Sequence, residues 1–271
     1  MSEDGPPLPA AAFYEPLDQD RFTSTTATAG PWSPGFQHAG PVSALVGRAF
    51  ERHDPSPGTR VARVTVEILG PVPVAPLRAV VRTVRPGRRV SLLEGELLGE
   101  DGPIVRATAW RIAAAPGRLE STDHSPPPPP LPTTSRPIDR WPGMHADGYL
   151  AAMEWRPVEG SFNRPGPGAV WARARVPLVA GEADSPLVRA LTLADSASGI
   201  GSQLDLAKWL IINTDLTVAL HRDPVGEWIF MRARINADPG GSALAEARLA
   251  DSSGGFGRAL QTLLVDGLPA G

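Results

Sequence analysis

The chain repeats itself at a fixed spacing. Laid along itself without a gap, VARVTVEILG from Val61 falls over NTDLTVALHR from Asn213, so Thr65 and Val66 match Thr217 and Val218, 152 positions on. At the same spacing Arg82, Glu94, Leu97, Gly102, Arg106 and Ala107 lie over Arg234, Glu246, Leu249, Gly254, Arg258 and Ala259. The turn signals coincide too, with GEDGP at 99–103 over DSSGG at 251–255. One offset kept through strands and turns alike indicates a duplicated unit, both copies of which fold the same way.

Within each copy, short β-branched or alternating runs separated by Pro-Gly, Asp-Gly or Ser-Gly-Gly turns predict four strands. They fall near 61–69, 76–85, 89–98 and 104–112 in the first copy, and near 213–221, 227–236, 242–250 and 256–265 in the second. Such short connections favour antiparallel meanders. Before each set stands a helix: GPVSALVGRAFERH from Gly40, with Val42, Leu45, Val46, Ala49 and Phe50 at helical spacing, and SPLVRALTLADSASG from Ser185, with a serine cap, a proline and apolar Leu187, Val188, Leu191 and Ala194. FTSTTATAG at 22–30 and AVWARARVPL at 169–178 fit as leading strands, so the expected unit is strand, helix, four strands. A lone sheet must cover one face with something apolar, and the helix can do so.

Between the copies the 31 prolines of the chain are densest, in SPPPPPLPTTSRP. This stretch is expected to be an extended, solvated, polyproline-like linker at 116–142, between an N-terminal unit at 1–115 and a C-terminal unit at 143–271. With 26 basic against 29 acidic side chains, nothing points to nucleic acid or an anionic membrane surface. The absence of cysteine excludes disulfides, thiolate metal sites and a cysteine nucleophile. No run reaches membrane-span length, and the acidic, proline-broken start leads to the expectation of a cytoplasmic protein. No histidine and carboxylate spacing suggests a metal and no Gly-rich phosphate loop is evident, so no cofactor is expected.

A helix enclosed by a curled antiparallel sheet and duplicated in one chain resembles the double hotdog, an α+β fold. More specifically, the chain is similar to the acyl-CoA thioesterase II group and its thioesterase-like relatives. The segments that carry the likeness are the Trp32 to Pro41 entry ending in HAGP, ADSASG at 194–199, NTDLTVALHR at 213–222 and GRALQTLLV at 257–265. The resemblance covers nearly the whole chain outside the linker and rests on the order and spacing of these segments. It implies a polar constellation in the second copy: an aspartate on the central helix, a side chain at the start of the next strand and a glutamine on the last strand, falling on Asp195, Asn213 and Gln261. The family often has threonine where Asn213 stands, which leaves Thr214 as the alternative.

Those residue types suit thioester hydrolysis without a covalent nucleophile. A thioester carbonyl is electrophilic enough for attack by an oriented water, with a carboxylate such as Asp195 taking the proton and amides such as Asn213 and Gln261 fixing the water. Backbone amides at a helix start, around Gly40 or Ser185, are expected to stabilise the oxyanion. The repeat supplies a comparison: Val61 lies over Asn213 and Ala109 over Gln261, and the first helix has no acid before Glu51, so one site per chain is expected, in the second copy. Thr217, matched by Thr65, reads as structural, and Asp215 stays open.

His38 in the HAGP entry is a second candidate, as substrate-binding group or as the acid–base residue of a hotdog hydratase or dehydratase. His221 is assigned to substrate binding, near the phosphates of coenzyme A. The expected activity is hydrolysis of acyl thioesters in lipid metabolism, on acyl-CoA or an acyl carrier thioester. The competing readings are the hydratase and a non-catalytic acyl-thioester-binding accessory protein. A homo-oligomer stays open.

Overall fold

The duplication and the strand pairing share one centre. In the computed structural model, which describes residues 6–114, 120, 122–135, 143–161 and 164–267, the two copies join through a single antiparallel strand pair in which Thr65 faces Thr217. Each of these two threonines is thus opposite its own counterpart, and the two hydroxyls meet at 3.1 Å. A local two-fold axis passes between them, and Thr65 and Thr217 are structural, as the repeat suggested.

The first copy comprises β1 (Tyr14–Pro16), β2 (Arg21–Ser24), helix α1 (Ala39–Arg52), β3 (Thr59–Ile68), β4 (Pro76–Arg85), β5 (Val90–Gly99) and β6 (Gly102–Ala113). In the second copy are α2 (Tyr149–Ala152), β7 (Met153–Ser161), β8 (Arg164–Ala174), α3 (Pro186–Ala194), α4 (Ala197–Ile200), β9 (Trp209–Asn213), β10 (Asp215–Leu220), β11 (Ile229–Ala237), β12 (Ser242–Asp251) and β13 (Gly254–Gly267). All thirteen strands belong to one sheet, in the order β1-β2-β4-β5-β6-β3-β10-β13-β12-β11-β8-β7, with β9 paired to β13. About the β3–β10 pair the order runs outward alike on both sides. The aligned charges of the repeat have the same task in each copy: Arg82 opposite Glu94 and Arg234 opposite Glu246 are cross-strand ion pairs.

Strand alternation decides which side chains face the helices. Along β13, Phe256, Ala259, Gln261 and Leu263 are buried while Arg258, Leu260 and Thr262 are exposed, so Gln261 faces inward. The helices lie antiparallel: Gly40 near the start of α1 meets Thr192 near the end of α3, Gly47 meets Leu191, and Glu51 meets Ser185. Val42, Leu45, Val46 and Phe50 join Leu187, Val188, Leu191 and Ala194 in one cluster of buried side chains that spans both copies. Fully burying a side chain of this size contributes roughly 1.5–3 kcal/mol, so the shared helix interface is a principal stabiliser of the fusion.

Three sequence expectations change. The segment expected as one strand near 213–221 is two, broken at Thr214, because β9 leaves β10 to pair with β13 alone. Asp215 accepts the Thr262 amide at 2.9 Å at this break, a structural role. The leading strand expected at 22–30 ends at Ser24 and turns into a single 3-10 turn. The expected linker, whose residues 116–119, 121 and 136–142 lie outside the described residues, is not a freely solvated spacer at 122–135. It has no helix or strand there, but Arg248 donates to the Pro126 carbonyl, Trp171 Nε1 to Pro129 at 3.0 Å and Arg156 to Pro132 at 2.7 Å. An extended proline segment has no internal hydrogen bonds. Its carbonyls are therefore acceptors for donors on the outer face of the second copy. Among the described residues no helix is long and apolar enough to cross a membrane.

Candidate active site

Asp195 is the C-cap of α3 and is almost fully buried. Around it four elements converge. Asn213, the last residue of β9, donates from Nδ2 to Asp195 Oδ1 at 2.7 Å, and Gln261 on β13 donates from Nε2 to the same oxygen at 2.9 Å. The backbone amides of Ala39 and Gly40, the first turn of α1, also donate to the carboxylate, which therefore sits at the positive end of the helix dipole. Burial still dominates: it pushes the Asp195 carboxyl up to about 7, against the opposing hydrogen bonds from Asn213, Gln261, Ala39 and Gly40.

The structure brings together Asp195, Asn213 and Gln261, but their division of labour differs from the sequence expectation. Gln261 is fully buried; its Nε2 donates to Asp195 Oδ1 and to the Asp195 carbonyl at 3.1 Å, and its Oε1 accepts the Ser198 amide at 3.1 Å. Both amide hydrogens are committed, so Gln261 holds the carboxylate and the α3–α4 turn rather than donating to a water. Asn213 commits only one of its two hydrogens and lines the adjoining cavity. Thr214 also lines this cavity, but its hydroxyl goes to the Thr262 carbonyl at 3.2 Å. It is Asn213, not Thr214, that reaches Asp195.

His38 is the N-cap of α1 and accepts the Gly40 amide at Nδ1, 3.0 Å away, with Asp195 Oδ2 3.1 Å from the same nitrogen. This contact is not an ion pair, because burial pushes the imidazole down to about 3. Gly40 contributes through this amide and the carboxylate, not as a free oxyanion donor. The Ser185 amide region lies at the other end of the helix pair, where Ser185 donates to Glu51 Oε2 at 2.6 Å. Glu51, raised by burial, thus lies beside the start of α3, as Asp195 lies beside the start of α1.

His221 is not at this site. It lies at the far end of β10, lining a separate cavity of about 380 Å³ with Arg248, Arg258 and the linker residue Asp123. Neighbouring Arg222 forms a bidentate pair with Asp251, at 2.6 and 2.8 Å, and so is structural.

A cavity of about 470 Å³ opens on the carboxylate. It is lined from both copies: Trp32, Phe36, His38 and Val72 from the first, Leu150, Asp195, Ser196, Leu206, Ile211 and Asn213 from the second. Its volume is within the roughly 300–1,000 Å³ usual for small-molecule sites. Among the described residues no group of three or more histidines and acids is placed to hold a metal ion. The cavity thus draws on both copies, while the three residues expected as catalytic all come from the second. Sequence reasoning also missed Tyr149, which packs against His38 with ring centroids 3.7 Å apart and planes 9° from parallel. One signal was present: the chain has 2 tyrosines, both buried.

Sequence comparison agrees with this arrangement. The sequence model of the acyl-CoA thioesterase N-terminal domain matches residues 28–112, and that of the acyl-CoA thioesterase C-terminal domain matches residues 122–265. No curated protein matches. Similar solved structures include a tesB protein of Mycobacterium avium subspecies paratuberculosis (19% identity, 93% of this chain and 96% of that one, TM-score 0.67). An acyl-CoA thioesterase II of Mycobacterium marinum is comparable (17%, 95% and 96%, 0.63). A hot dog fold protein of unknown function from Alicyclobacillus acidocaldarius has 16% identity, 94% and 96% coverage and a TM-score of 0.74. At these identities the structures establish the double hotdog fold.

Proposed function

The chain belongs to the acyl-CoA thioesterase family, and from that premise we propose that it hydrolyses acyl thioesters by water attack at Asp195, with acyl-CoA or an acyl carrier thioester as substrate. The observation that carries this reading is a buried carboxylate, raised to about 7, at the wall of a largely apolar cavity. A general base works best with a pKa near the working pH, and burial sets Asp195 there. Asn213, with one hydrogen on Asp195 and the other uncommitted, orients the water; Gln261 positions the carboxylate.

In the proposed reaction the water oxygen bonds to the thioester carbonyl carbon as Asp195 takes a proton. The tetrahedral intermediate then expels the thiolate, which receives that proton, leaving a carboxylic acid and a free thiol. The apolar wall of Trp32, Phe36, Val72, Leu206 and Ile211 would receive the acyl chain. A cytoplasmic role in lipid metabolism fits this chemistry and belongs to the same proposal. The hydratase reading fares less well, since it needs His38 to accept a proton and burial, which pushes the imidazole down to about 3, makes it a weak base.

Thiol release measured over acyl-CoAs of graded chain length tests the reaction and the reach of the cavity together. Thermal stabilisation by acyl-CoA with no thiol release at any length would instead favour the accessory-protein reading. Because the base must be ionised, kcat/KM is expected to rise about tenfold per pH unit below pH 7 and to level above it. A rate independent of pH between 5 and 8 would count against Asp195.

A further inference from the structure

The α1 amides of Ala39 and Gly40 donate to Asp195, which leaves open what polarises the substrate carbonyl. We propose that His38 is a catalytic residue in that role: a neutral imidazole donating from Nε2–H to the thioester oxygen, with Tyr149 as the positioning residue that holds its ring. The inference rests on the thioester reading above and adds to it a donor and its support.

Nδ1 has two neighbours, the Gly40 amide at 3.0 Å, which donates to it, and Asp195 Oδ2 at 3.1 Å. The amide requires a lone pair on Nδ1, which puts the ring proton on Nε2; the nitrogen-15 spectrum separates this tautomer from the one in which Nδ1–H donates to the ionised carboxylate. Nε2 has no partner among the described residues and is not among the sealed unpaired atoms, while its side chain lines the cavity beside Asp195. The titratable groups packed against the ring are Asp195, at the end of α3, and Tyr149, on α2. Tyr149 is itself anchored, its hydroxyl donating to the Thr192 carbonyl at 2.8 Å and lying 2.8 Å from Ser196 Oγ; burial raises its phenol further, so it stays neutral. The backbone is pinned as well: the His38 amide donates to Thr28 at 2.7 Å, and Tyr14 reaches the neighbouring Gln37 Oε1 at 2.7 Å. Both tyrosines of the chain thus brace the segment that presents this ring. A neutral imidazole polarises a carbonyl well, because it need not lose a charge to do so.

His38→Asn is the direct test. Asparagine is a good N-cap whose Oδ1 can take over from Nδ1, so the helix start survives, but it has nothing at the Nε2 position. The expected result is a fall in kcat of about 10²–10³-fold with KM little changed and the acid limb of the pH profile unmoved. A kcat within threefold of wild type would overturn the assignment, as would loss of the acid limb, which would make His38 the titrating base. Nitrogen-15 NMR of the imidazoles, with His38→Asn identifying the signal among the 5 histidines, gives a readout independent of turnover. One ring should stay neutral and Nε2-protonated from pH 5 to 8; a His38 signal that titrates near 6.5 refutes the proposal. Should wild type release no thiol from any acyl-CoA, the thioester reading fails while this measurement still decides the tautomer. For Tyr149, Tyr149→Phe keeps the stack and Tyr149→Leu removes it, so the leucine variant should lose the more kcat and its His38 signal should begin to titrate. Equal effects in both variants would reduce Tyr149 to a core residue.

Discussion

Asp195→Asn is expected to abolish thioester hydrolysis and, above pH 7, to leave a protein that melts at a higher temperature than wild type. The two effects share one cause. Loss of a general base costs about 10²–10⁴-fold in rate, and the asparagine has no basic oxygen to replace it. Stability follows from linkage: an unfolded aspartate ionises near 3.9, whereas the folded one holds its proton until about 7. Between those values the folded aspartate keeps a proton that the unfolded one has lost, so its contribution to stability falls as pH rises from about 4 to 7, and the loss is complete above the folded pKa. The full penalty is on the order of 4 kcal/mol. The amide escapes it: Oδ1 still accepts from Asn213 and Gln261, and Nδ2 in place of Oδ2 can donate to the His38 Nδ1 lone pair. It recovers only part, because the Ala39 and Gly40 amides lose a charged acceptor. Melting curves of both proteins from pH 5 to 8 decide the matter: His38, kept neutral by burial, adds the same pH dependence to both below about 6.5, so the variant's advantage over wild type should widen as pH rises to about 7 and then hold. A difference between the two proteins that stayed constant over this range would contradict a buried, proton-holding Asp195.

Much of this was legible because strands encode their faces locally. The repeat placed the four main strands of each copy close to their observed positions, and its matched threonines, Thr65 and Thr217, face each other at the centre of the pair that joins the copies. The mismatches Val61 against Asn213 and Ala109 against Gln261 marked two residues that do converge on Asp195. What stayed hidden depends on how separate elements meet. Nothing local ties His38 to Asp195; their contact follows from antiparallel packing of α1 on α3, which puts the start of one helix beside the end of the other. The same packing brings Glu51 to Ser185. Reading the copies in linear alignment placed the catalytic trio in one half, and the cavity beside it is lined from both. Tyr149 and the docked proline segment were missed for a related reason, since a ring stack or a carbonyl taken by a distant arginine leaves no periodic trace.

That packing turns on Gly40, and Gly40→Ala is expected to cost about 3 kcal/mol or more and most of the activity. A β-carbon there would lie 2.3 Å from the Thr192 carbonyl oxygen and 3.3 Å from its carbon. Both are backbone, fixed in α3, so the helices themselves must part. Moving them apart would draw the Ala39 and Gly40 amides from Asp195 and pull Thr192 away from the Tyr149 hydroxyl, so the site loosens along with the fold. Gly47→Ala is the control, because the crowding is numerically the same: its β-carbon would also meet an atom at 2.3 Å, but that atom is Leu191 Cδ1, the end of a side chain that can rotate. Replacing glycine by alanine inside a helix gains about 1 kcal/mol of intrinsic propensity, which offsets much of that adjustment, so Gly47→Ala should stay near wild type in stability and turnover. Denaturant midpoints and kcat for the two variants side by side provide the comparison. If Gly40→Ala proved no more harmful than Gly47→Ala, the close approach of α1 to α3 could not be what holds the two halves of the site together.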